Sequence, residues 1–177
     1  DKVNVADLME RHRHNLPEWL VQPLKEQLND GFWPLVESLN AGAGLDLRVN
    51  ALNAKRADVQ KELAKAGIKA VPTPFSPWGL RIAGKPALNK NEAFLRGDFE
   101  VQDEGSQLLA MLVDAKRGEM VVDFCAGAGG KTLILGAMMR STGRLYAFDV
   151  SDKRLAKLKP RAARAGLIPK PHKEPQS

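Results

Sequence analysis

Val121-Val122-Asp123-Phe124-Cys125-Ala126-Gly127-Ala128-Gly129-Gly130-Lys131-Thr132 places an apolar run, a glycine-rich turn and a helix start in direct succession. Met120–Phe124 reads as a strand buried on both faces of a parallel sheet. Residues 125–130 read as the turn and residues 131–140 as a helix. Backbone amides at such a turn, with the helix N-terminus, make a place for an anionic group. Glycines let a ligand approach the backbone with no Cβ in the way. Gly143 breaks the helix, and Leu145-Tyr146-Ala147-Phe148-Asp149 reads as the next buried strand. A carboxylate ending that strand, about twenty residues past the turn, stands where it can accept from both hydroxyls of a ribose. The order strand, turn, helix, strand is the βαβ opening of a doubly wound α/β fold.

Two phosphate-binding patterns come close and fail. A P-loop needs a further glycine where Cys125 stands, and a dinucleotide fingerprint begun at Gly127 and Gly129 meets Thr132 where its third glycine belongs. The residues therefore give a nucleoside-cofactor site and leave open whether a nicotinamide dinucleotide or S-adenosylmethionine fills it.

Outward from this core, residues 103–114 read as a helix with Leu108, Leu109, Leu112 and Val113 on its apolar face. Ser151 is placed to cap a helix running to about Ala165, with Gly166 past its end and Pro160 inside, where a kink or early stop is expected. Its basic residues, Lys153, Arg154, Lys157, Lys159, Arg161 and Arg164, read as the wet face of a sheet-flanking helix.

Upstream lies a different pattern. Residues 1–40 read as a helical segment: one helix from Pro17 with Trp19, Leu20, Leu24 and Leu28, and a second from Pro34. The basic cluster Arg11-His12-Arg13-His14 reads as solvated. Residues 41–98 read as a small α/β unit. It comprises a half-buried strand at 45–50, an amphipathic helix at 55–66 (Val59, Leu63, Ala66), a strand near 68–71, a proline-stiffened loop at 72–79 and a strand at 80–82. Trp78 reads as packed rather than free to stack on a base. Residues 99–167 carry the doubly wound opening. Residues 168–177, polar and proline-punctuated, read as a disordered tail.

Composition bounds the function. The 177 residues carry 27 basic and 21 acidic side chains, a net charge of +6, which suits a nucleic-acid partner without requiring one. The single cysteine, Cys125, excludes an internal disulfide and fits a reducing, cytoplasmic setting. No apolar run is long enough to span a bilayer. No cluster has metal-ligand spacing, so no metal is expected, and the oligomeric state stays open.

Phe99-Glu100-Val101-Gln102-Asp103-Glu104-Gly105-Ser106-Gln107, followed by Asp123 through Thr132, resembles the Sun (Fmu) family of S-adenosylmethionine-dependent RNA cytosine-5 methyltransferases. Leu47-Arg48-Val49-Asn50 with Lys55, and Tyr146-Ala147-Phe148-Asp149 through Arg154-Leu155, match the same family. The likeness runs from about Pro17 to Gly166. It implies that Cys125, Ala126, Gly127, Ala128, Gly129, Gly130 and Lys131 wrap the methionine part of S-adenosylmethionine and that Asp149 holds its ribose. It implies also that residues 41–98 form a unit like an RNA-recognition fold that positions RNA, ribosomal RNA foremost. The family loop reads Cys-Ala-Ala-Pro-Gly-Gly-Lys-Thr, and here Gly127-Ala128 replaces Ala-Pro. Two family cysteines, in Thr-Cys-Ser and Asp-Ala-Pro-Cys-Ser-Gly motifs, have no counterpart in this sequence, and Cys125 matches neither, so no catalytic residue is assigned. The expected protein is thus a truncated methyltransferase, inactive alone. The alternatives are a non-catalytic RNA- or cofactor-binding module and, from another class, a fragment of a nicotinamide-dependent oxidoreductase.

Overall fold

The computed structural model describes residues 8–167, in two compact units divided after Ala43. The tail expected at 168–177 lies outside the described residues.

The first unit holds α1 (Glu10–Arg13), α2 (Glu18–Leu28), a 3₁₀ turn at Asn29–Gly31 and α3 (Phe32–Asn40). Val21, Phe32 and Val36 form its core, with Leu16, Leu24 and Trp33 against them. The face of α2 is therefore centred on Val21, and Trp19, expected on it, is 76% exposed. The guanidinium of Arg13 lies 4.7 Å from the Trp33 ring centre. His14 leaves the expected solvated cluster altogether: it is buried, and its Nδ1 accepts from the Leu16 amide at 3.1 Å.

The second unit begins with β1 (Leu45–Val49), α4 (Arg56–Lys65), β2 (Ala70–Pro72), β3 (Gly79–Ile82), α5 (Glu92–Leu95) and β4 (Phe99–Val101). These form one antiparallel sheet in the order β2-β3-β1-β4, the split βαββαβ arrangement. The last strand of this sheet lies beyond residue 98, so the sheet does not end where the sequence pattern changes. Leu47, Val49, Leu80, Ile82 and Phe99 pack with Val59 and Leu63 of α4 into an apolar core. Ala66, expected on that helix face, is exposed at its C-terminal cap.

The alternation in β1 predicts one wet face and one dry. Both faces are buried. Asp46 stands opposite Arg81 and Arg48 opposite Glu100 on the polar face, and α6 (Glu104–Leu112) lies against it. The Glu104 amide donates to Asp46 Oδ2 at 3.2 Å, and Gln107 Nε2 donates to the carbonyls of Gln102 (2.8 Å) and Leu47 (3.3 Å). The side chains of Asp46 and Arg48 tolerate burial because each finds a charged or polar partner.

That contact reverses the expected face of α6. Glu104, Gln107 and Ala110 are buried, whereas Leu109, Leu112 and Val113 are 58%, 81% and 54% exposed. Then come β5 (Met120–Asp123), α7 (Gly130–Met138) and β6 (Arg144–Ala147), with β5 and β6 parallel. Ile134, Leu135 and Met139 pack with Val121 and Leu145 on one side. Met120, Val122 and Phe124 are exposed on the other, so burial on both faces does not hold for β5. A parallel sheet needs helices on both faces, and among the described residues only one face of β5 is covered.

The helix expected over 152–165 is broken into α8 (Asp152–Leu155) and α9 (Leu158–Arg164). Pro160 has no N–H for the Ala156 carbonyl, so the helix is interrupted upstream of its ring. Ser151 Oγ caps α8 by accepting from the Arg154 amide at 3.3 Å. Gly166, at φ +75, closes α9, with the Leu167 amide donating to the Ala162 carbonyl.

Candidate cofactor site

The turn between β5 and α7 is held at each residue from Ala126 to Gly129. The Ala126 amide donates to the Phe148 carbonyl at 2.9 Å, which ties the turn to the end of β6. The Gly127 amide donates to Asp149 Oδ2 at 2.8 Å. Arg161 Nη1 donates to the Ala128 carbonyl at 2.6 Å. Gly129 sits at φ +87, and a Cβ there would stand 2.2 Å from Leu158 Cδ1. A Cβ on Gly130 would lie 3.5 Å from Gln102 Nε2. At the strand end, Thr132 Oγ1 donates to Asp123 Oδ2 at 2.6 Å, closing the turn onto the first turn of α7.

Two features leave room for a ligand. Gly127 is left-handed, at φ +56, and a Cβ on it would meet nothing nearer than Asp149 Oδ2 at 4.0 Å. The first amides of α7 have no acceptor within their own helix. An anionic or strongly polar group fits beside these residues, with space at Gly127 for close approach.

Asp149 is engaged more fully than expected. Its Oδ1 accepts from the Ser151 amide (2.8 Å) and pairs with Arg154 (2.9 Å), while Oδ2 accepts from Gly127. The Ser151 amide, then that of Gly127 and the charge of Arg154, hold this carboxyl below the usual carboxylate range. A carboxylate offers about four acceptor positions, so Oδ2 has one uncommitted, on a side chain that is 4% exposed beside Arg154. Arg154 is 57% exposed and its pairing is easily exchanged.

Among the residues read from sequence, the structure brings Gly127 and Asp149 into contact and gathers Ala126 through Gly130 around them. Cys125 and Lys131 are exposed. Four contributors escaped the sequence reading: Glu100 and Gln102 on and just after β4, and Leu158 and Arg161 on α9. Nothing local to Glu100 and Gln102 signals a role, and the period of the helix predicts a wet face for Arg161. Arg161 Nε and Nη2 instead donate to Glu100 Oε2 at 3.2 and 2.9 Å, and Arg164 Nη2 donates to Oε1.

A depression of about 680 Å³ lies elsewhere, lined by Asp58, Lys61, Glu62, Lys65, Lys90 and Asn91 among others. None of its lining residues belongs to the turn or touches Asp149. Among the described residues, no His/Cys/Asp/Glu group is arranged to hold a metal, and no helix is long and apolar enough to cross a membrane.

Comparison with known proteins places the chain in a family. Residues 16–89 match the RsmF/B-like methyltransferase ferredoxin-like domain, and residues 110–170 match the 16S rRNA methyltransferase RsmB/F domain. The probable ribosomal RNA small subunit methyltransferase B of Synechocystis sp. is 33% identical over 162 residues, 88% of this chain and 35% of that protein. Ribosomal RNA small subunit methyltransferase B of Yersinia enterocolitica is 31% identical over 168 residues, 92% of this chain and 39% of that protein. A methyltransferase homologue from Pyrococcus horikoshii superposes with a TM-score of 0.81 at 26% identity, covering 91% of this chain and 55% of that one. The chain belongs to the Sun, or RsmB/F, family of methyltransferases. It spans 35% and 39% of the two curated relatives.

Proposed function

We propose that this chain holds S-adenosylmethionine and positions RNA, ribosomal RNA foremost, for methylation at C5 of cytosine in the cytoplasm. The observation that supports the reading most directly is the Gly127–Asp149 contact, which puts a left-handed glycine with space for a close approach beside the carboxylate that follows β6. The cofactor, when bound, supplies an electrophilic methyl group. Asp149 Oδ2 accepts from a ribose hydroxyl, the amides opening α7 face the cofactor's polar end, and Gly127 allows contact with backbone.

Three strands of the four-stranded sheet, β1 to β3, lie within the residues that match the ferredoxin-like domain, and we assign the sheet the RNA-positioning role. Net charge +6 supplies cations for phosphate. Transfer to C5 needs a thiolate that adds to the base, and the sequence has one cysteine, in the turn. The chain by itself is therefore a binding module for this reaction. Calorimetry with S-adenosylhomocysteine against a nicotinamide dinucleotide is the direct test. Binding of the first and not the second supports the reading, and the reverse sinks it.

A further inference from the structure

Helix α9 reaches the glycine turn at two points, Leu158 against Gly129 and Arg161 on the Ala128 carbonyl. The second point is set from outside the helix. Arg161 spends Nε and Nη2 on one oxygen of Glu100, and a planar guanidinium gripped at two donors has its third direction determined. That third donor, Nη1, meets Ala128. Glu100 is in turn fixed: its side chain is 5% exposed, Arg164 holds its other oxygen, and β4 pairs with β1 in a register that sets it opposite Arg48. Ala128 stands where the family loop carries proline, so no ring locks its φ.

We propose that Glu100 is a positioning residue for the glycine turn, acting through Arg161. By holding the Ala128 carbonyl it fixes the plane of the Ala128–Gly129 peptide, whose amide donates back to Ala126 at 2.8 Å. A carboxylate of the RNA-positioning sheet thereby sets the shape of the turn that meets the cofactor. The purpose of the clamp rests on the cofactor reading above; its existence does not.

Arg164 supplies the internal control, because it shares Glu100 and makes no hydrogen bond to the turn. Hydrogen exchange of the intact chain, followed by mass spectrometry over peptides spanning 124–133, reads the turn directly. Arg161→Met is expected to speed exchange there by about tenfold or more, as loss of a charge-assisted hydrogen bond does. Arg164→Met, which leaves Arg161 on both Glu100 and the Ala128 carbonyl, is expected to speed exchange in the turn clearly less than Arg161→Met does, even if both variants lower the melting temperature equally. Glu100→Gln, if it folds, is expected to behave like Arg161→Met. Equal effects of the two arginine variants on the turn, or none from Arg161→Met, would overturn the proposal. Absence of S-adenosylhomocysteine binding by the wild-type chain counts against the cofactor reading alone, since the clamp is judged on the exchange difference.

Discussion

Arg48 on β1 stands directly opposite Glu100 on β4, and both side chains are buried. Burial pushes the Arg48 guanidinium down to about 10, against the pull of Glu100's charge, and Arg161 pushes in the same direction as burial. One carboxylate thus answers three guanidinium groups, those of Arg48, Arg161 and Arg164.

This imbalance orders two substitutions. Glu100→Ala leaves the buried Arg48 and the half-buried Arg161 and Arg164 without their counter-charge and should cost about 3–5 kcal/mol. Arg48→Met removes a cation that burial already disfavours and keeps most of its volume. Its cost, from the hydrogen bond lost at Gln102 Oε1, should be about 1–2 kcal/mol. Urea unfolding followed by circular dichroism measures both, and the opposite order would refute this account of the pair.

Asp149 should titrate below an ordinary aspartate, whose pKa is about 3.9. A depressed folded-state pKa adds stability that is full above the unfolded value and is lost as pH falls through the folded one. The Gly127 and Ser151 contacts should therefore survive pH values at which exposed carboxylates have begun to protonate. Carboxyl-carbon NMR across an acid titration reads this, and a midpoint at or above 3.9 contradicts it.

The two left-handed glycines should respond differently. Gly129→Ala meets both a left-handed backbone and Leu158, whereas Gly127→Ala meets only the backbone term of about 1–2 kcal/mol. Leu158→Ala in the Gly129→Ala background should recover part of the loss. Gly127→Ala should instead weaken S-adenosylhomocysteine binding well beyond its cost in stability. Thermal unfolding and calorimetry separate the two effects.

Cys125 is exposed and should label readily with a maleimide. Labelling should slow when S-adenosylhomocysteine is present, since the cofactor is assigned to the same turn. In a denaturing gel with 5-fluorocytosine RNA and cofactor, no adduct should form. An adduct that vanishes in Cys125→Ser would give this thiol the nucleophile's role.

The corrected face of α6 is tested by a pair of charges. Leu112→Asp, at a position 81% exposed, should change stability by less than about 0.5 kcal/mol. Ala110→Asp, at a position 1% exposed, buries an unpaired carboxylate and should unfold the unit. Equal costs would restore the face expected from periodicity.

Residue type and spacing settle the local grammar. Strand, glycine turn and helix over 120–138, the helix at 56–65, the strands flanking the proline loop and the interruption at Pro160 all follow from residue type and spacing. So does the pairing of a turn with an acid at the next strand's end, because each is a short-range pattern in one chain segment. Which faces meet is set by packing between segments far apart in the chain. The alternation in β1 marks a polar face but cannot say that α6 covers it, and the leucines of α6 advertise a core position that Glu104 and Gln107 occupy instead. Charged side chains are read as solvated until a partner far along the chain is known. Glu100 and Arg161 are 61 residues apart, and burial turns them from surface charges into the contact that reaches the Ala128 carbonyl. Hydrophobic period records what a segment prefers, and burial of a charge depends on a partner that no local window contains.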